Sequence, residues 1–417
     1  MSDLSKVLTF TDIYLLSIGY IIGAGIFVLI GDVSKYAKSL SWLTFVIAGI
    51  FALIVSTTYI DVNTIYDTNH GDYTFVQNTL GEIPALITVL LLIGIGIATN
   101  SAVALSIGKF ISPIVSLSPI VSLSPIVSLS PIAVSVLVIL LFTGINCMGV
   151  KETTYFNHLC TFTELIGLVI VCIMGMFFHK SKYPYHTSKD VTVPDILYSS
   201  VLAIFVYSGF ESTVKLSEEA KDVKDIPKAI LASVVTATII YVIVAIAVVK
   251  CCNTKILHES PLPIVTMAKM FFGSSISKIF YLIAMLSISN TLVISILGTS
   301  RILYSISREY SVLNIFNQVD KTYKTPIHAI IAVAVASIAM LVFKEVEVLA
   351  SITSYLMFFV FSILNICLIK VYTNPEIQEK LKNNWTYKIN HGLPILPSIG
   401  LFINLALILF GVYHHLV

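Results

Sequence analysis

The sequence predicts an all-α, polytopic membrane protein with about eleven transmembrane helices. Three observations carry that prediction: of 417 residues, 57% are hydrophobic, only 12% are charged, and the mean hydropathy is +0.93. Apolar surface on that scale exceeds what one water-soluble core can hide, so lipid must serve as solvent. In a bilayer core each backbone N–H and C=O has to be satisfied by the chain itself, and apolar runs of about 20 residues do this as helices.

Eleven runs qualify. After a short N-terminal segment, 1–11, the first run covers 12–32 and carries Gly19, Gly23 and Gly25. Runs two to five cover 42–62, 84–108, 131–149 and 156–178; the third holds the polar pair Thr99 and Asn100, and the fifth holds Glu164. Runs six to ten cover 195–214, 228–249, 279–300, 327–343 and 348–370, with Ser289 and Asn290 in the eighth, and the eleventh covers 394–413. This divides the chain into a first five-helix unit, 12–178, a second, 195–370, and an additional span, 394–413. The long polar connections, 179–194, 215–227, 301–326 and 371–393, leave no room for a soluble domain. Residues 112–129 repeat "SPIVSL" three times with prolines six apart, a spacing that forbids a continuous helix, so this connection is expected to be extended or turn-rich.

The net charge of +2 excludes little, but the basic residues form no stripe with interleaved aromatics, so no nucleic-acid partner is expected. With the N-terminus inside, 14 of the 25 Lys and Arg fall on inner connections and 11 on outer ones, which favours a cytoplasmic N-terminus in the cell membrane. The first run is too long and too glycine-patterned for a signal peptide and is expected to stay. The six cysteines show no C-x-x-C spacing, and neither a metal nor a cofactor is expected.

Two runs are interrupted. "GYIIGAGIF" places three glycines within seven residues, each costing about 1 kcal/mol against Ala in a helix interior, and "FVYSGFE" places Gly209 and then Glu211 ahead of the polar loop. Taken alone, Gly19-x-x-x-Gly23 fits helix packing. Two interruptions five spans apart point instead to an inverted-repeat secondary transporter with its substrate near the midplane. Unwinding at Gly23–Gly25 would expose N–H groups at the positive end of a half-helix, suited to a carboxylate; unwinding at Ser208 and Gly209 would expose carbonyls suited to an ammonium group.

These residues resemble the amino acid-polyamine-organocation permeases. "GAGIF" at 23–27 is similar to that superfamily's first-helix G-[SA]-G-[IV]-F signature, and "FVYSGFE" at 205–211 to its sixth-helix F-x-x-x-G-F-E. "SEEAKDVKDIPKAI" at 217–230, "SRILYSISREYSVL" at 300–313 and "KTPIHAI" at 324–330 resemble its later connections. The resemblance implies a LeuT-like five-plus-five inverted repeat, multi-pass insertion in the lipid bilayer, and an amino acid substrate. It further implies that Gly23, Ala24 and Gly25 offer N–H groups to the substrate carboxylate, that Ile21, Phe205 and Ser208, beside Gly209, offer carbonyls to its amino group, and that the Phe205 ring lids the site. Ala24 replaces a serine of some members, removing one hydroxyl contact.

Glu211 holds the position of the superfamily's acidic residue past the sixth-helix break, which suggests gating or proton sensing; capping of the following half-helix is the simpler account. Glu164 lies deep in the fifth run, where an ionised carboxylate costs about 2.5–3.5 kcal/mol, so it must be protonated, paired or facing water. Many members carry a lysine there. The reversed sign puts a coupled proton or cation at Glu164, with Ser289 and Asn290 as candidate co-ligands, against the plainer role of one interhelical hydrogen bond. Thr99 and Asn100 are candidate side-chain pocket residues, or interhelical bonds. No H-E-x-x-H, G-x-S-x-G or G-x-x-x-x-G-K-[ST] occurs, so no enzyme is expected. The alternative to transport is an amino acid sensor, or a subunit of a larger membrane complex, that keeps the binding motifs.

Overall fold

A computed structural model describes residues 9–65, 71–116, 130–148, 151–177, 191–211, 220–251, 259–260, 262–323 and 325–416. Among these the chain is helices and short connections with no strand. The first apolar run is two helices, α1 (Phe10–Ile21) and α2 (Ala24–Ala37). There follow α3 (Ser41–Ile65), the short α4 (Gly71–Leu80), α5 (Glu82–Ser116), α6 (Pro131–Cys147) and α7 (Lys151–Phe177). Then come α8 (Val193–Val206), α9 (Asp225–Cys251), α10 (Pro263–Ile306, kinked at Gly273), α11 (Ile327–Met340) and α12 (Val346–Val371). Two short helices, α13 (Pro375–Leu381) and α14 (Trp385–Asn390), lead to α15 (Ile395–Leu416).

Six stretches among the described residues are long and apolar enough to cross a membrane, one of them, 10–65, holding two of the expected spans; of the shorter apolar helices, 131–147, 193–206, 327–343 and 395–411 fall where the sequence places the others, and 263–273 lies outside the expected runs. The protein is therefore an all-α, multi-pass membrane protein. Leucines and isoleucines of α6 and α7, such as Leu137, Leu141, Leu159 and Ile166, are exposed, while Asn100, Glu164, Asn290 and Asn365 are buried. That inversion of the soluble pattern is what lipid as solvent requires.

Contacts at the helix ends fix the up-and-down order. At the end where α1 begins, the near end, Lys370 Nζ donates to the Thr79 carbonyl at 2.7 Å and Tyr310 Oη to Glu82 at 3.0 Å. At the far end Lys109 pairs with Glu345 at 3.0 Å, and Glu347 accepts from Tyr36 (2.6 Å), Tyr198 (3.0 Å) and Lys35 (3.5 Å). Glu347 thus ties the last turn of α2 to α8 and α12.

α1 and α8 begin alike, from opposite ends. Thr9 accepts from the Asp12 N–H while Asp12 accepts from the Thr9 N–H, and Thr192 and Asp195 repeat the arrangement with the same distances. Such capping boxes satisfy helix N-termini that would otherwise meet the membrane interface unpaired.

The proline repeat departs from expectation at its start. α5 continues to Ser116, through Pro113, so the first residues of the repeat are helical. Proline removes one i−4 bond, here to the Lys109 carbonyl, and a long helix can lose one bond without ending. Residues 117–129 lie outside the described residues. The five described cysteines are free.

Candidate functional site

The first interruption is local. α1 ends at Ile21, Ile22 turns back to donate to the Ile18 carbonyl, and Gly23 starts α2 from φ −84°, ψ −139°. The second is the same event seen from the other side. α8 ends at Val206, Tyr207 and Ser208 close short turns, and Gly209 takes φ +120°, a region that favours glycine. Residues 212–219, which include the start of whatever follows Glu211, lie outside the described residues.

The two interruptions interlock through their glycines. A Cβ at Gly25 would lie 2.9 Å from the Val206 Cα, and a Cβ at Gly209 would lie 2.9 Å from the Tyr20 carbonyl oxygen. Only hydrogen fits at either place, so the two broken helices cross backbone on backbone. Gly19 has a different use: its missing Cβ admits Thr161 Oγ1 of α7, at 2.2 Å from where a methyl would stand. Of the three glycines of the first run, one packs against α7 and one against the partner break. Gly23 faces Thr291 of α10.

The polar groups at the crossing are specific. The Tyr241 hydroxyl of α9 lies between the Ile21 carbonyl (2.7 Å) and the Val206 carbonyl (3.2 Å), so it joins the C-termini of α1 and α8, whose negative dipole ends converge there. The Ala24 N–H donates to Thr291 Oγ1 at 2.9 Å, and the Gly209 N–H to Glu211 Oε2 at 2.8 Å. Gly25 and Ile26 are in the first turn of α2, where N–H groups have no intrahelical acceptor.

A cavity opens beside the crossing, lined by Tyr20, Ser208, Gly209 and Glu211 of the interruptions and by residues of α5 and α10, among them Thr99, Thr291, Ser295 and Thr299. Ser208 and Gly209 face it. Ile21, Ala24, Gly25 and Phe205 do not line it, and Phe205 is buried within the helix packing. Thr99 lines the cavity, but Asn100 does not: its amide donates to Ser337 of α11 at 3.3 Å. Neighbouring residues on a helix project about 100° apart, so a pair adjacent in sequence seldom shares a wall.

Glu164 is buried and meets α10, but through a residue other than Ser289 or Asn290. Ser287 Oγ donates to Glu164 Oε1 at 2.5 Å, while Glu164 Oε2 has no hydrogen-bond partner. Asn290 lies three residues, a little under one turn, further along α10 and donates to Asn157 Oδ1 at 2.9 Å, with its own Oδ1 unpartnered. Thr161 also donates to Asn157. Ser287, Asn290 and Thr291 share one helical face at i, i+3 and i+4; Ser289 lies off that face, and the helical phase of Asn290 was the signal that could have found Ser287 and Thr291 from the sequence. The result is a buried polar strip from Glu164 to the first interruption, bounded by α1, α7 and α10. No group of three or more His, Cys, Asp or Glu suited to a metal occurs among the described residues.

A second buried carboxylate, Asp61 at the near end of α3, escaped the sequence reading. It accepts from Tyr372 (2.9 Å), Asn384 (2.7 Å) and Thr386, and so ties α3 to the segment between α12 and α15.

A family profile described as amino acid permease matches residues 8–414. Among similar proteins, cationic amino acid transporter 7, chloroplastic, of Arabidopsis thaliana is 26% identical over 376 residues, covering 86% of this chain and 64% of that protein. The methylthioribose transporter of Bacillus subtilis is 23% identical over 412 residues, 95% of this chain and 87% of that protein. Large neutral amino acids transporter small subunit 2 of Homo sapiens is 23% identical over 415 residues, 93% and 76%. The chain spans less than two thirds of the length of several cationic amino acid transporters of Arabidopsis thaliana that it matches.

Proposed function

Because the chain belongs to the amino acid permease family, matched over nearly its whole length, we propose that it carries L-amino acids across the cell membrane by alternating access, holding the substrate at the interruptions of spans 1 and 6. The observation that carries this reading is the interlock of the two breaks beside a cavity whose mainly apolar walls carry Glu211 and the hydroxyl-bearing Thr99, Ser208, Ser295 and Thr299. Transporters of the inverted-repeat kind hold substrate at such half-helix ends, where backbone groups replace the hydration of a charged solute. The N-terminal turn of α2 would take the α-carboxylate. The converging C-termini of α1 and α8, now served by the Tyr241 hydroxyl, would take the α-ammonium group.

The paired capping boxes at opposite ends support two five-helix units, 12–178 and 195–370, of inverted orientation. The cavity is lined along α10 from Thr291 to Ile302, toward that helix's C-terminal, near end, while Glu347 ties α2, α8 and α12 together at the far end. With a cytoplasmic N-terminus this would be an inward-facing arrangement. Glu164 would couple transport to a proton or another cation, because a buried carboxylate with one oxygen, Oε2, unpartnered stands on the same helix faces as the polar groups that lead to the first interruption.

The test is uptake and exchange of a labelled amino acid panel by the purified chain in liposomes, with and without pH and sodium gradients, beside thermal stabilisation in detergent. Saturable uptake is expected. Stabilisation without uptake or exchange would favour a sensor or complex subunit, and neither stabilisation nor uptake by any amino acid would refute the proposal.

A further inference from the structure

Between α12 and α15 the chain stays at the near end for two short helices, and the second of them, α14, is fastened from within. Asn384 Nδ2 donates to Asp61 Oδ1 at 2.7 Å and Thr386 Oγ1 donates to the same oxygen, so both neighbours of Trp385 are held by one buried carboxylate of α3. One turn on, Asn390 Nδ2 donates to Tyr372 Oη at 3.0 Å, and Tyr372 in turn donates to Asp61 at 2.9 Å. Thr386 and Asn390 are buried by these bonds.

That attachment settles which face of α14 turns outward. Trp385 and Ile389, one turn apart and about 100° round the helix from Thr386 and Asn390, are 37% and 56% exposed. The exposed apolar row continues through Leu393 into Ile395, Ile399 and Phe402 at the start of α15, a membrane helix whose exposed apolar face is turned to lipid. Trp385 therefore stands where a lipid-facing surface reaches the membrane boundary, the level at which indole rings are favoured.

Charge marks this boundary further. Residues 380–393 carry Lys380, Lys382, Lys388 and His391 and no Asp or Glu. Lys380 turns inward to the Ile65 carbonyl at 3.4 Å, while Lys382 and Lys388 are exposed. Glu379 of α13 lies 3.7 Å from Lys382, but both side chains are mostly in solvent and the pair is screened. Lysines beside an interfacial apolar row hold their ammonium groups at headgroup level and attract anionic lipid.

We propose that α14 is an interfacial anchor, which seats Trp385 and Ile389 in the near-end leaflet and gathers anionic phospholipid at Lys382 and Lys388, with Asp61 as its positioning residue. None of these residues lines the cavity at the interruptions, so the anchor goes beyond the transport reading and does not depend on it.

The chain has two tryptophans, Trp42 and Trp385, so Trp42→Phe in the full chain leaves Trp385 as the sole indole reporter. The chain is placed in vesicles of phosphatidylcholine with a smaller share of phosphatidylglycerol, and brominated acyl chains are carried by one lipid or the other. Mole for mole, brominated phosphatidylglycerol is expected to quench Trp385 about fivefold more than brominated phosphatidylcholine, and the ratio to fall toward one at high salt or when Lys382→Gln and Lys388→Gln are combined. Asp61→Asn should also lower the ratio by releasing both neighbours of Trp385, and Thr386→Val should do so if the first variant does not fold. Quenching by neither lipid would put the face in water, open to a soluble partner, and equal quenching by both, or a ratio that survives loss of both lysines, would remove the anionic lipid; each result overturns the anchor. A ratio unchanged in Asp61→Asn and in Thr386→Val would overturn the role of Asp61.

Discussion

Replacing Gly25 by alanine should damage the substrate site more than the fold. The added methyl would sit 2.9 Å from the Val206 Cα and 3.1 Å from its Cγ1. Carbon atoms pack at about 3.5–4.0 Å, so the two interruptions must separate by about half an ångström or more. The obstructing atom is backbone and cannot rotate away. Overpacking of this kind costs about 1–3 kcal/mol. Borne by the bound state, that is a loss of about 5- to 150-fold in affinity. Gly19→Ala supplies the control: its methyl meets Thr161 Oγ1 of α7, a hydroxyl on a rotatable side chain that is bonded to Asn157 and not to the interruptions. The assay is uptake kinetics in proteoliposomes together with the melting temperature of each variant with and without amino acid. Gly25→Ala should raise KM and shrink the stabilisation by ligand, whereas Gly19→Ala should lower Tm at unchanged KM. Wild-type KM in Gly25→Ala, or an equal rise in both variants, would return Gly25 to a packing role.

Glu164→Gln should flatten the pH or sodium dependence of uptake, because the amide cannot gain or lose the charge that faces the polar strip; intact ion dependence would leave Glu164 as the partner of Ser287 alone. Tyr241→Phe removes the donor from two buried carbonyls and should cost about 1–3 kcal/mol of stability, read as a lower Tm that saturating substrate partly restores, since the ammonium group would meet the same carbonyls. A Tm that substrate cannot restore would separate Tyr241 from the site. Asp61→Ala strands three donors at the near end and should destabilise by about 3 kcal/mol without altering substrate preference, measured by thermal melts and competition; a changed preference would make Asp61 part of the transport path.

Much of the fold is legible in the sequence because the relevant forces are local. Apolar runs near 20 residues become spans wherever they occur, and each of the eleven runs meets a helix, within a few residues at most ends. The interruption at Gly23 is also local, since glycine weakens a helix wherever it stands. The start of the "SPIVSL" repeat departs from its local pattern for the opposite reason: the length of α5 absorbs proline's local cost. Thr9 and Asp12, with Thr192 and Asp195, carry a local signal of their capping boxes, for the Thr-x-x-Asp-Ile pattern opens both spans.

The sequence by itself therefore determined the membrane class, the order of the apolar runs that become helices, and the two places where a run breaks, for these follow from composition and from neighbours in the chain. Only the tertiary structure decided which groups meet: that Gly25 touches Val206 while Gly19 touches α7, that Ser287 rather than Ser289 faces Glu164, that Thr99 lines the cavity and Asn100 leaves it, and that Tyr241 joins two carbonyls 185 residues apart in the chain. Those facts depend on the rotation of each helix about its axis and on how closely two backbones approach. Both are set by all the neighbours of a helix at once, and no short window of sequence contains them.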